Sequence, residues 1–120
     1  MKLSAHFSEE EFRCPCCLLY IDNSRLIWAL EKLRSECGDV PITITSGCRC
    51  EDRNTAVGGV PTSMHLIGQA ADIIVSGMHP IEMADRAGRI EAFSHGGIGT
   101  YPEKGFIHVD VRHGPARWSG

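Results

Sequence analysis

Two imidazoles and a carboxylate, His65, Asp72 and His108, are the groups in this 120-residue chain best suited to chemistry. The first two lie in Ser63-Met64-His65-Leu66-Ile67-Gly68-Gln69-Ala70-Ala71-Asp72 and the third in Phe106-Ile107-His108-Val109-Asp110. Catalytic zinc is usually held by three such ligands with a fourth position open, so their convergence implies metal-dependent hydrolysis. Gly68, Ala70 and Ala71 are small enough for the backbone to bring His65 and Asp72 to one point. Their spacing is not helical, which predicts a turn-plus-strand ligand set rather than two histidines on one helix. Asp72 lies near the start of the apolar run Ala70–Val75, where an unpaired carboxylate would cost several kcal/mol; a cation, hydrogen bonds or a metal must neutralise it. The bland alternative for His65 is a hydrogen-bonded structural histidine.

These residues need elements to position them. Ser8–Tyr20 reads as an arm with a short helix, Ser8 and Glu11 forming a capping box. A helix follows from Asn23 or Ser24 to Cys37, with Leu26, Ile27, Leu30, Leu33 and Cys37 on one face and Gly38 ending it. Pro41–Thr45 is β-branched and reads as a strand; Glu51–Val57 reads as a short helix stopped by Gly58-Gly59. Ala70–Val75 has strand length, and Pro80 opens a second long helix with Ile81, Ala84, Ala87 and Ile90 facing inward. Ile98–Tyr101 and Phe106–Arg112 form a hairpin around Pro102–Gly105. In its second strand Ile107, Val109 and Val111 point one way and His108, Asp110 and Arg112 the other. That polar row is either a solvated outer face or one side of a site. The expected class is α+β, two main helices packed on a small, mainly antiparallel sheet.

Length sets one domain over residues 1–120, with a cysteine-containing arm over 1–21. A net charge of −3 offers nothing to nucleic acid or an anionic membrane, and no apolar run approaches the roughly 20 residues needed to cross a bilayer. The N-terminal residues lack the apolar stretch of a secretory signal, which predicts synthesis in the cytosol and reduced thiols. Oligomeric state is not encoded in any pattern we recognise. Six cysteines are many for such a chain. Cys14 and Cys17, with Cys48 and Cys50, could clamp a structural zinc, form disulfides or stay free; the C-x-C spacing of the second pair is the weaker zinc signal.

The motif Ser63-x-His65-x-x-Gly68-x-Ala70-x-Asp72 with a histidine on a late strand resembles the zinc D-alanyl-D-alanine carboxypeptidases and murein endopeptidases, whose fold is shared with the hedgehog signalling domain. Ser46-Gly47-Cys48-Arg49, Asn54, Val57-Gly58-Gly59, Gly97-Ile98-Gly99-x-Tyr101 and Pro115-Ala116-Arg117-Trp118 extend the resemblance to short phage and bacterial members, over nearly all the sequence from Phe7 onward. The resemblance implies one catalytic Zn2+ on His65, Asp72 and His108, and peptidoglycan stem peptides as substrate. It implies action at the cell wall after release from the cytosol, as in phage lysis. Arg49 matches the family's substrate-orienting arginine, and Ser63 either touches substrate or fixes the His65 loop. Several members place an acidic base three residues before the last histidine, where this chain has Gly105. Asp110 and Glu103 are the candidates to replace it, with His95 and His113 more distant, and Asp110 is equally suited to orienting a ligand or pairing Arg112. The alternative function is a catalytically silent zinc-bearing module that binds peptidoglycan or protein.

Overall fold

The computed structural model describes residues 1–120. An arm with a 3-10 turn at Glu9–Glu11 precedes α1 (Ser24–Glu36), β1 (Ile42–Ser46), α2 (Glu51–Ala56), a 3-10 turn at Met64–Ile67, β2 (Ala70–Val75), α3 (Pro80–Ala87), α4 (Glu91–Ser94), β3 (Gly97–Tyr101), β4 (Phe106–Asp110) and β5 (Ala116–Ser119). The five strands form one sheet in the order β1-β2-β4-β3-β5. Pairs β1/β2, β2/β4 and β3/β4 are antiparallel, and β3/β5 is parallel. The α+β expectation holds, with the sheet mixed through its last strand.

α1 begins where Asn23 accepts the Leu26 N–H at 3.1 Å, a cap worth about 1 kcal/mol. Its buried face is Leu26, Ile27, Ala29, Leu30 and Leu33. This face packs with Phe93, Met83 and one side of the sheet, including Ile73, Val75, Ile107 and Val109, in a single cluster of 20 buried residues. Each such side chain contributes roughly 1.5–3 kcal/mol on burial, so this layer holds the sheet in place. In the arm, Glu11 Oε2 accepts the Ser8 N–H at 2.7 Å, the reach-back bond of the expected capping box. No helix is long and apolar enough to cross a membrane.

Two elements differ from the sequence reading. The second long helix is instead α3, stopping at Gly88, and the short α4. Its inward residues are Pro80, Met83 and Ala87, whereas Ile81 is 63% exposed and Ile90 is buried at the junction with α4. Residues spaced uniformly by three drift around a helix of 3.6 residues per turn, so Ile81, Ala84, Ala87 and Ile90 cannot share a face. The second difference is β5, a four-residue strand too short to read from its own pattern and defined by its pairing with Gly97–Thr100.

Candidate metal centre

One row of residues crosses the sheet on the side away from α1, α3 and α4. The register aligns Ser46 with Asp72, Asp72 with His108, His108 with Gly99 and Gly99 with Trp118. His65 joins from above, carried on the 3-10 turn whose first N–H groups are ordered by Ser63; the Ser63 Oγ accepts the His65 N–H at 3.2 Å. The structure therefore brings His65, Asp72 and His108 together, their donor atoms all within 4.8 Å of one another. All three residues are buried.

The protonation pattern follows from the outer partners. His65 Nδ1–H donates to the Gly47 carbonyl at 2.7 Å, and His108 Nε2–H donates to Asp110 Oδ2 at 2.7 Å. Carbonyl and carboxylate oxygens only accept, so the neutral rings turn bare nitrogens, His65 Nε2 and His108 Nδ1, toward the centre. Both stand 3.1 Å from Asp72 Oδ1. Three acceptors facing one another repel unless a cation or a proton lies between them. Two imidazole nitrogens and a carboxylate oxygen are a zinc donor set, and the committed outer N–H groups fix the tautomers such a set needs. The residues fit the metal. With only a proton to share, burial pushes the Asp72 pKa up, but contacts with His108 and His65 outweigh it and hold the carboxyl well below its usual range. Burial pulls His108 down, and Asp110 and Asp72 together leave it raised.

Arg49 closes the other side of Asp72. Its guanidinium meets Asp72 Oδ2 at 3.0 Å, Ser46 Oγ at 3.1 Å through Nε–H, and Asn54 Oδ1 at 3.3 Å. Asn54 is itself buried and donates to the Val60 carbonyl at 2.8 Å, tying α2 to the loop beyond it. Burial lowers the Arg49 pKa, and Asp72 partly offsets that. Arg49, Ser63, the two histidines and Asp72 line a cleft of about 500 Å³, closed on its far side by Tyr101, Lys104, Arg112 and Trp118.

The two candidate bases are placed differently. Asp110 is fully buried behind His108 and accepts from Gly97 N–H at 2.8 Å and from the Arg112 backbone and guanidinium at 2.7–3.1 Å. Burial raises its pKa, but His108 and Arg112 more than reverse this. That setting suits holding a ring still. Glu103 is exposed in the turn after β3 and does not line the cleft. His95 and His113 are also exposed and outside it.

Residues that the sequence reading left without a role complete the site. Trp118 lies 4.9 Å from the His108 ring, centroid to centroid, and its Nε1–H donates to Tyr101 at 2.8 Å. Gly99 makes room for it, since a Cβ there would sit 2.5 Å from the indole Cε2; a Cβ on Gly97 would sit 2.7 Å from the Asp110 carboxylate carbon. The spacing Gly97-Ile98-Gly99 was the available signal: alternate glycines on a strand leave one face open to neighbours.

The sequence pattern that defines peptidase M15 matches residues 5–110, which include Arg49, His65, Asp72, His108 and Asp110 but not Arg112 or Trp118. The chain belongs to the peptidase M15 family. It is similar to a zinc D-Ala-D-Ala carboxypeptidase of Streptomyces albus G, 43% identical over 39% of this chain and 18% of that protein. It is also similar to a probable peptidoglycan L,D-endopeptidase of Haemophilus influenzae, 38% identical over 57% of this chain and 34% of the relative. The peptidoglycan L,D-endopeptidase MepK of Escherichia coli K12 is 34% identical over 64% of this chain and 42% of its own length. This M15 chain thus aligns with less than half the length of each of these curated relatives.

Proposed function

We propose that this M15 chain is a zinc-dependent peptidase that hydrolyses peptide bonds in peptidoglycan stem peptides, of carboxypeptidase or endopeptidase type. The observation that carries the reading is the pair of bare ring nitrogens meeting one Asp72 oxygen at 3.1 Å, a buried arrangement that calls for a cation. The names of the relatives supply the substrate class. His65, Asp72 and His108 hold the ion, and when bound it supplies a Lewis acid that activates water and polarises a carbonyl.

The chain's own groups do the rest. Gly47 and Asp110 keep the rings in the ligating tautomers and fix their planes. Arg49 offers paired N–H groups at the cleft wall, suited to a peptide carboxylate or to charge developing on a scissile carbonyl. Lys104 and Arg112 line the same cleft and add positive charge that favours an acidic peptide. Ser63 uses its oxygen to order the His65 turn and keeps its hydroxyl proton free for substrate.

One observation favours the alternative of a zinc-bearing module that holds wall peptides without cutting them: Asp72 is the one carboxylate lining the cleft. Incubation with purified sacculi separates the two. Release of stem-peptide fragments that stops on chelation supports the peptidase, and the same release should vanish in Asp72→Ala and His108→Ala together with bound zinc. Zinc-loaded protein that pulls down with sacculi of several wall types but releases nothing would replace it with the binding module.

A further inference from the structure

Away from the cleft, four of the six cysteines meet. The Sγ atoms of Cys14, Cys16, Cys17 and Cys50 all lie within 4.8 Å of one another. Cys14 is 3.8 Å from Cys16 and 3.7 Å from Cys50, while Cys16 and Cys50 are 3.0 Å apart. None of the six is in a disulfide, and the shortest of these separations is well beyond the S–S bond of about 2.05 Å. A tetrahedron of thiolates with Zn–S bonds of about 2.3 Å has edges of about 3.8 Å, which two of the measured separations match. Cys48, which the sequence spacing put in this group, stands outside it. It is buried against Ile21, whose N–H it accepts at 3.2 Å, and Cys16 takes its place.

The backbone is arranged for thiolates. Cys50 N–H points at the Cys14 sulfur at 3.5 Å, and Arg53 N–H points at the Cys50 sulfur at 3.4 Å. The turn that presents Cys14, Cys16 and Cys17 closes through Leu18 N–H to the Cys14 carbonyl at 2.8 Å, and it holds Leu18 at φ +64°. A branched residue in the left-handed region costs roughly 1–2 kcal/mol, and Leu18 is also 66% exposed, so its own packing does not offset that cost. A metal drawing the three thiols together would. Four sulfurs with no oxygen donor select a soft ion such as Zn2+ over Mg2+ or Ca2+.

We propose that Cys14, Cys16, Cys17 and Cys50 form a tetrathiolate zinc site that fastens the N-terminal arm to the corner carrying Arg49. Cys50 directly follows Arg49 and caps α2, whose Asn54 holds the Arg49 guanidinium. Cys48 N–H bonds to the Phe12 carbonyl at 2.8 Å, so arm and corner are already in register when the metal arrives. Binding displaces the thiol protons to solvent, with no change in oxidation state. The site is structural, because four protein ligands leave no open position.

The test reads metal content, independently of peptidase activity. Chain purified with reductant and without added chelator should carry about two zinc ions, falling to about one in Cys16→Ser and to about one in His65→Ala. Cobalt exchange into His65→Ala should give the intense near-ultraviolet thiolate-to-cobalt band, which the arm site alone can produce. About one zinc in the parent chain, unchanged in Cys16→Ser, overturns the proposal, as does His65→Ala taking up cobalt without that band. A mass 2 Da lower per pair in unreduced protein, mapped to these four cysteines, would replace the metal with disulfides. Loss of zinc in His65→Ala that leaves the arm site loaded keeps this proposal separate from the peptidase reading.

Discussion

Asp110 supports His108 from two residues away on the same face of β4, through a 2.7 Å bond between Oδ2 and Nε2–H. An imidazole whose proton is fixed on one nitrogen offers the other as a ligand without first losing a proton. The carboxylate is itself held by Arg112 and by Gly97 of β3, so the ring's plane is set by contacts that reach beyond its own strand.

Asp110→Asn should therefore weaken zinc binding by about 10–100-fold while the fold persists. The amide can still accept one bond but loses the charge that Arg112 and His108 share. Competition with a chelator of known affinity measures this. An unchanged affinity with lost turnover would instead make Asp110 the proton acceptor.

Gly99→Ala should move the indole of Trp118 off His108, since the new methyl group would overlap the ring. Overpacking of this kind costs about 1–3 kcal/mol. Chemical denaturation would register the loss, and tryptophan fluorescence would register the broken Trp118–Tyr101 bond. A variant as stable as the parent, with an unaltered spectrum, would remove the glycine's role.

Arg49→Lys should retain the metal, because Arg49 touches Asp72 through the oxygen that faces away from the histidines. An ammonium cannot make the forked contacts to Ser46, Asn54 and Asp72 at once. We expect kcat/KM on stem peptides to fall by about 10–100-fold, equivalent to one lost charge-assisted contact. Metal loss in parallel would recast Arg49 as part of the centre's scaffold.

Glu31 should make the attachment of the arm sensitive to acid. Its carboxylate accepts from Ser4 Oγ–H at 2.5 Å and His6 N–H at 2.8 Å, tying the first residues to α1. Burial raises its pKa, but the Ser4 and His6 contacts leave it lowered overall. A group lowered on folding stabilises fully above its unfolded value, about 4.3, and loses that contribution as pH falls through the folded one. Protection of the amides in residues 3–7, taken as exchange relative to the intrinsic rate at each pH, should thus fall below about pH 4 in the parent, and Glu31→Gln should show the lower protection already at neutral pH.

Legibility in the sequence tracked how local each feature is. α1 was readable because Asn23, Gly38 and the Leu26-Leu30-Leu33 stripe mark its start, end and inner face within one segment. The alternation of β4 placed His108 and Asp110 on one side without knowledge of any partner strand. What the row does was not readable: the sequence left Asp110 either a base or a group that orients a ligand or pairs Arg112, because its burial and its bond from Gly97 N–H depend on the pairing of β3 with β4. β5 was hidden for the same reason, since the four residues of Ala116–Ser119 are too few to mark a strand without the β3 partner. The cysteine set shows the limit most plainly. Spacing alone favoured Cys48, yet the turn into α2 sends its sulfur inward to Ile21 and leaves Cys50 to meet Cys14 and Cys16.

The strand that carries His108 and Asp110 is paired on both sides, to β2 and to β3. It has no free edge from which to fray, and sliding it by one position would turn its isoleucine and valine outward. The floor of the cleft is thus as hard to alter as the core itself. Diversification toward other wall chemistries would have to proceed through the rims, the Val57–Met64 loop and the Pro102–Gly105 turn, where insertions cost the sheet nothing.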